Sequence, residues 1–110
     1  MSTLQLDQVA NTTLNANGNG SVSLSPSSSR TVWNVTTIAV AGTSVASVPS
    51  ATASLGSLQL GGTWSGTNDA DNVSVTVWPG QSIVVTWTGG DPGASASAYV
   101  YGTVATTGSS

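Results

Sequence analysis

Apolar and small polar residues alternate along most of this chain, in runs of about five to eight residues. In the C-terminal third, Val73, Val75 and Val77 alternate with polar residues. Successive side chains of a β-strand point to opposite faces of the sheet, so this pattern is typical of strands with one buried face. No segment carries apolar residues at the 3.6-residue spacing of an amphipathic helix. We therefore predict an all-β protein.

Clusters of Gly, Pro and Asn separate these runs at intervals of about ten residues. This spacing favours seven to nine short antiparallel strands in a β-sandwich, with the jelly roll among the topologies and a small barrel as the alternative. A chain of 110 residues is long enough for one core, so residues 1–110 are expected to form a single domain. We expect residues 1–17 to form a polar N-terminal segment that acts as a docking arm, and residues 105–110 to be a flexible tail.

Two local hairpins are predicted. Residues 4–6 and 21–25 form the first, around a loose turn. Residues 73–77 and 83–87 form the second, around residues 78–81, where Pro and Gly occupy the two central positions of a type II turn.

The central segment predicts a β-bulge. Trp33 and Val35 share one strand face, whereas Ile38 and Val40 require the opposite parity. A slip of one residue near positions 36–37 would bring all four side chains to the same face.

Three further segments are predicted from turn residues and alternation. Residues 42–62 should form one or two short strands broken at Pro49 and Gly56, and residues 61–72 a turn-rich loop. A last strand is expected over 94–104, with alanines on one face.

Ionisable groups are almost absent. There is no Lys, Glu, His or Cys, and the net charge is −3, from the side chains of Asp7, Asp69, Asp71, Asp91 and Arg30. Acid–base and nucleophilic catalysis lack their usual groups, so we expect a non-enzymatic protein without a cofactor. One cation cannot replace the counterions of a nucleic acid, and no window approaches the roughly 20 apolar residues of a membrane-spanning helix. Nucleic acids and membranes are therefore not expected as partners.

The first four residues lack the basic and long apolar regions of a secretory signal. We expect synthesis in a cytoplasm without export.

Hard oxygen ligands cluster at Asn68, Asp69, Asp71 and Asn72, which makes Ca²⁺ the one metal to consider. The spacing lacks the Gly and the terminal Glu of an EF-hand loop. The favoured interpretation is that these side chains accept hydrogen bonds from loop amides.

The aromatic residues divide into core and surface candidates. Trp33 and Trp87 share the phase of aliphatic strand residues and are expected in the core. Trp64, in a Gly-rich stretch, and Trp78, beside a turn, are expected to be exposed or to cover a core edge. There they could anchor an interface or stack on a sugar ring.

Three further residues are interface or ligand candidates. Tyr99 and Tyr101 lie opposite the alanine face of the last strand, as an interface patch or as ordinary cross-strand partners. Arg30 either pairs with an Asp, in this chain or in a neighbouring subunit, or is a solvated residue at the start of a strand.

Several of these segments together resemble a known class of proteins. Residues 60–69 (LGGTWSGTND), 78–94 (WPGQSIVVTWTGGDPGA), 100–102 (VYG) and 33–40 (WNVTTIAV) resemble small virion proteins of tailed phages that infect actinobacteria. The likeness covers about residues 18–104 and consists of turn and strand signals.

The resemblance implies a capsid decoration protein on the outer surface of the virion. Its partner would be the major capsid protein, and it would associate with itself as a homotrimer. The alternative is a minor tail or fibre-associated module that binds host glycans.

Overall fold

A computed structural model of the chain describes residues 3–26, 30–43 and 46–106. These residues form eight strands and no helix: β1 (Thr3–Thr13), β2 (Gly20–Leu24), β3 (Thr31–Gly42), β4 (Ser50–Leu55), β5 (Leu58–Ser65), β6 (Asn68–Val77), β7 (Ile83–Thr88) and β8 (Ser95–Thr106). The prediction of an all-β chain is confirmed. Strand β1, with 11 residues, is longer than the short strands predicted, whereas β8 agrees with the last strand expected over 94–104 to within two residues.

The strands form two four-stranded antiparallel sheets. Sheet A has the order β1-β8-β3-β6 and sheet B the order β2-β7-β4-β5. The chain thus pairs its first strand with its eighth, the second with the seventh, the third with the sixth and the fourth with the fifth. This is the strand order of a jelly roll. The predicted antiparallel sandwich is confirmed, and its topology is defined by these pairings.

A single core lies between the sheets. Trp33 and Trp87 are buried in it, as their phase predicts, and the Trp87 Nε1–H donates a hydrogen bond to the Gly66 carbonyl (3.0 Å). The largest fully buried side chains come from both sheets: Trp87, Leu6, Ile38, Ile83, Val35, Val77, Val85 and Val100.

The predicted bulge in β3 is confirmed. The register of β3 against both of its neighbours shifts between Val35 and Thr37. Gly102 of β8 lies against this bulge, and a Cβ at this position would be 2.0 Å from the Asn34 carbonyl oxygen. Only glycine allows the two backbones to approach this closely.

Neither predicted hairpin forms. β1 and β2 lie in different sheets, as do β6 and β7, so each connection crosses from one sheet to the other. The turn over residues 78–81 nevertheless has the expected type II features: the Gln81 N–H donates to the Trp78 carbonyl (3.0 Å), and Gly80 has φ +90°. Alternation identifies the inward side chains of a strand, but it does not identify the sheet to which the strand belongs.

The remaining segment predictions have mixed outcomes. One prediction is confirmed, because β4 begins directly after Pro49 and a turn at Gly56 leads into β5. The loop predicted over 61–72 is wrong, since β5 and β6 fill it except for Gly66 and Thr67. Residues 3–13 of the predicted arm form an integral strand that pairs with β8 throughout, rather than an extension. Of the predicted tail, 105 and 106 belong to β8, and 107–110 lie outside the described residues.

One end of the sandwich, here called the loop end, is formed by four connections: residues 14–19, Thr43 with 46–49, 66–67 and 89–94. Backbone hydrogen bonds join these connections to one another, including Gly90 N–H to Gly18 O (2.9 Å) and Gly66 N–H to Pro49 O (2.8 Å). Asp91 accepts hydrogen bonds from the N–H groups of Ala46 and Ser47, both at 2.9 Å. These hydrogen bonds therefore hold the connections of the loop end together as one unit.

Candidate functional site

The structure places the five interface or ligand candidates in three regions of the molecule: Trp64, Trp78, Tyr99, Tyr101 and Arg30. One of them, Trp64, is buried. Trp64 is in β5 with only 5% of its surface exposed, and its Nε1–H donates to Asp71 Oδ2 (3.3 Å). Of the two predicted alternatives, exposure and coverage of a core edge, exposure is wrong, because residues 58–65 form the edge strand β5 and Trp64 packs into the core from it. Trp64 belongs to the core and cannot contact a partner or a sugar.

The carboxylates considered for Ca²⁺ accept hydrogen bonds from the chain itself. Asp69 accepts the backbone N–H groups of Ser65 (3.1 Å) and Ala70 (2.9 Å), while Asp71 accepts the indole of Trp64. Asn68 is exposed. Within the described residues no group of three or more acidic, His or Cys side chains is arranged to hold a metal ion. The contacts of Asp69 agree with the interpretation that these side chains accept hydrogen bonds from backbone amides, whereas Asp71 accepts one from an indole.

The end of the sandwich opposite the loop end carries two exposed apolar side chains. Trp78, in the connection between the sheets, is 54% exposed, and Leu58, at the start of β5, is 59% exposed. A groove of about 430 Å³ lies between the two turns that carry them, lined by Leu55, Gly56, Gly80, Gln81, Ser82 and Val84. We call Trp78, Leu58 and this groove the Trp78 end.

The backbone under Trp78 is held in place by its own turn. The Trp78 N–H donates to the Gln81 side-chain oxygen (3.0 Å), in addition to the turn hydrogen bond between the same two residues. A large aromatic side chain on a fixed turn loses little conformational entropy when a partner covers it, which is typical of an interface anchor.

Arg30 lies at this same end of the sandwich. It is exposed and directly precedes β3, whose Trp33 is paired with Val77, the residue before Trp78. The structure therefore places the one cation of the sequence and the one exposed tryptophan at the same end.

Tyr99 and Tyr101 lie on a different surface, the outer face of sheet A. Their rings are parallel within 5°, with centroids 6.3 Å apart, and both residues are half-buried. Tyr99 is paired with Val9 of β1 on one side and with Ala39 of β3 on the other. The two tyrosines are thus cross-strand partners and also part of a surface patch, so both interpretations apply.

The strand register shows that this patch extends across all four strands of sheet A. Val9, Tyr99, Ala39 and Ala70 occupy directly opposed positions on the four strands of sheet A, and opposed residues share a face. We call these four residues, with Tyr101, the tyrosine strip. Sequence alternation identified the tyrosines, but only the register shows that Val9 and the alanines flank them.

The outer face of sheet B has a different chemistry. Its central positions carry hydroxyl side chains, since Ser21, Thr86 and Thr52 lie in one cross-strand row and Ser23 and Ser54 flank Val84 in the next. Apart from Val48 at the loop end, the large exposed apolar side chains of the described residues therefore lie on sheet A and at the Trp78 end.

The chain contains no His, Cys, Lys or Glu, and the two neighbouring carboxylates, Asp69 and Asp71, both accept hydrogen bonds from N–H donors. Among the described residues, none forms a helix that could cross a bilayer.

Comparisons with known proteins identify no relative: no protein-family model, no curated protein and no solved structure matches the chain.

Proposed function

We propose that this protein is a phage capsid decoration protein, which binds the outer surface of the major capsid lattice and stabilises the head. The resemblance of residues 18–104 to virion proteins of actinobacterial phages supports this, and so does the jelly-roll topology, which occurs in viral capsid domains. Lectins also have this fold, so the fold alone does not select the function.

The observation that carries the proposal is the Trp78 end. Trp78 and Leu58 expose more than half of their surface, the turns next to them line a groove, and Trp is enriched among interface hot spots. Burial of a tryptophan of this size at a protein interface contributes about 2 kcal/mol or more to binding. In this proposal the Trp78 end contacts the capsid, and the hydroxyl face of sheet B remains towards water.

The composition of purified particles tests the proposal. Mass spectrometry and cryo-EM should find the protein on the head, in a fixed ratio to the major capsid protein. A few copies at the tail tip, or none in the particle, would contradict the proposal.

A substitution tests the docking surface. Trp78→Ala should keep the fold, because the side chain is exposed, and should reduce binding to undecorated heads at least about thirtyfold. Val48→Ala is the matched control, since Val48 is 57% exposed at the loop end. Equal binding by both variants would exclude the Trp78 end as the contact.

The tyrosine strip favours a second candidate function, a glycan-binding module of the tail or fibre. Two parallel aromatic rings on an open sheet face are a suitable surface for stacking sugar rings. On a glycan array, this alternative predicts a signal that Tyr99→Ala abolishes and Trp78→Ala leaves unchanged. If the wild-type protein binds no glycan on the array, the alternative is wrong.

A further inference from the structure

The four edge strands of the sandwich differ in how well they are protected against pairing with another chain. Sheet A ends at β1 and β6, and sheet B ends at β2 and β5. An edge strand presents unpaired N–H and C=O groups, and soluble proteins usually block such edges with bulges, inward charges or short length.

Three of these edges have such a feature. β6 directs Asp71 inward onto Trp64, and its register against β3 shifts between Asn72 and Val75. β5 has a register shift against β4 between Leu60 and Trp64. β2 is only five residues long.

β1 has none of these features. Its eleven residues, Thr3–Thr13, pair with β8 without a register shift, and they include no Pro, Gly or Lys. Asp7, its one charge, lies on the outer face, since the neighbouring Leu6 is fully buried. No other strand of the described part of the chain pairs with the second edge of β1.

We propose that β1 pairs antiparallel with β1 of a second copy of this chain, so that two A sheets form one continuous eight-stranded sheet. The contact has a twofold axis, because each strand presents the same edge to the other. This inference goes beyond the proposed function and does not depend on it, and its twofold dimer replaces the homotrimer that the resemblance implies.

The residues of β1 favour one register, with Gln8 opposite Gln8 of the second copy. Gln8 is the midpoint of Thr3–Thr13, so this register pairs all eleven residues and forms about ten hydrogen bonds. It places Asp7 opposite Val9, whereas an axis at Asp7 would oppose two carboxylates and shorten the overlap. Buried Leu6 is then opposite Ala10, so inward side chains meet inward side chains.

The absence of cysteine from the chain makes a direct test possible. Gln8→Cys should form a reducible, disulfide-linked dimer under mild oxidation, because the two side chains face each other across the axis. Gln59→Cys is the matched control: it is exposed on the edge strand β5, beside a register shift, and should stay monomeric. Light scattering of the wild-type protein should give twice the monomer mass of 10.8 kDa.

A charge at the axis should weaken the dimer. Gln8→Lys opposes two ammonium groups, so we expect its dimer dissociation constant to rise at least about fivefold, while Gln59→Lys leaves it unchanged. Circular dichroism would verify that both variants retain the fold.

Three outcomes would overturn the proposal. The first is a wild-type monomer at all concentrations, and the second is a trimer whose Gln8→Cys variant does not cross-link. The third is a monomer whose Thr3–Thr13 amides become protected from hydrogen exchange only when capsid protein is added, which would assign this edge to that partner.

Discussion

Replacement of Gly18 by alanine tests how closely the loop end is packed. Comparison with a second glycine of similar φ separates the stability lost through packing from the stability lost through the left-handed backbone. Gly18 has φ +75°, and a Cβ there would be 1.9 Å from the Gly90 carbonyl oxygen. Gly89 has nearly the same backbone angle, φ +80°, but a Cβ there would meet no atom within 4 Å. Gly89→Ala is therefore the matched control for the left-handed backbone alone.

The expected magnitudes follow from these contacts. An alanine in the left-handed region costs about 1–2 kcal/mol, partly offset by a stiffer unfolded chain, so Gly89→Ala should lose about 1 kcal/mol. In Gly18→Ala the Gly90 peptide must also move by more than about 1 Å, which breaks the Gly90 N–H to Gly18 O hydrogen bond. The broken bond and the overpacking add about 3 kcal/mol.

Urea unfolding and thermal unfolding, both followed by tryptophan fluorescence, measure the stability and the melting temperature of the two variants. We expect Gly18→Ala to be less stable than Gly89→Ala by about 3 kcal/mol, with a melting temperature lower by about 12 °C. Equal stabilities would refute the inference that the loop end is a closely packed, cross-linked unit.

Three further substitutions test the remaining assignments by the same unfolding assay. Trp64→Ala should cost about 3–5 kcal/mol because it empties a buried site, whereas Trp78→Ala should change stability by less than about 0.5 kcal/mol. Similar losses in both variants would contradict the assignment of one tryptophan to the core and the other to the surface. Asp91→Ala should cost about 1–3 kcal/mol, because the N–H groups of Ala46 and Ser47 lose their acceptor. Unchanged stability of this variant would show that Asp91 does not hold the loop end together.

Several features of the structure could be predicted from short stretches of sequence. The parity change after Val35 located the bulge in β3, because a strand that keeps one face buried must slip where its apolar phase changes. Pro79 and Gly80 fixed the turn geometry through their own backbone preferences. Trp33 and Trp87 were assigned to the core because they share the phase of their aliphatic neighbours.

The functional candidates were less predictable. For Trp64 the sequence left exposure open, because the glycines and polar residues around it have the composition of a loop, although residues 58–65 form an edge strand. Trp78 was expected to be exposed or to cover a core edge and is exposed, but the groove lined by the turn that follows it also depends on the turn between β4 and β5, which is distant in sequence. Nothing in the sequence around Ala39 and Ala70 indicated that these alanines lie in one row with Tyr99 on the outer face of sheet A.

The sequence by itself determined which side chains of each strand point inward, where the chain turns, and that few reactive groups are present. These properties depend on the period of a strand, on the φ preferences of Gly and Pro, and on composition. Only the tertiary structure decided which strands pair, because a turn between two alternating segments can close a hairpin or cross between sheets with the same local pattern. That choice depends on the burial of the whole core, and it also determines which edge of the sandwich is left open at β1.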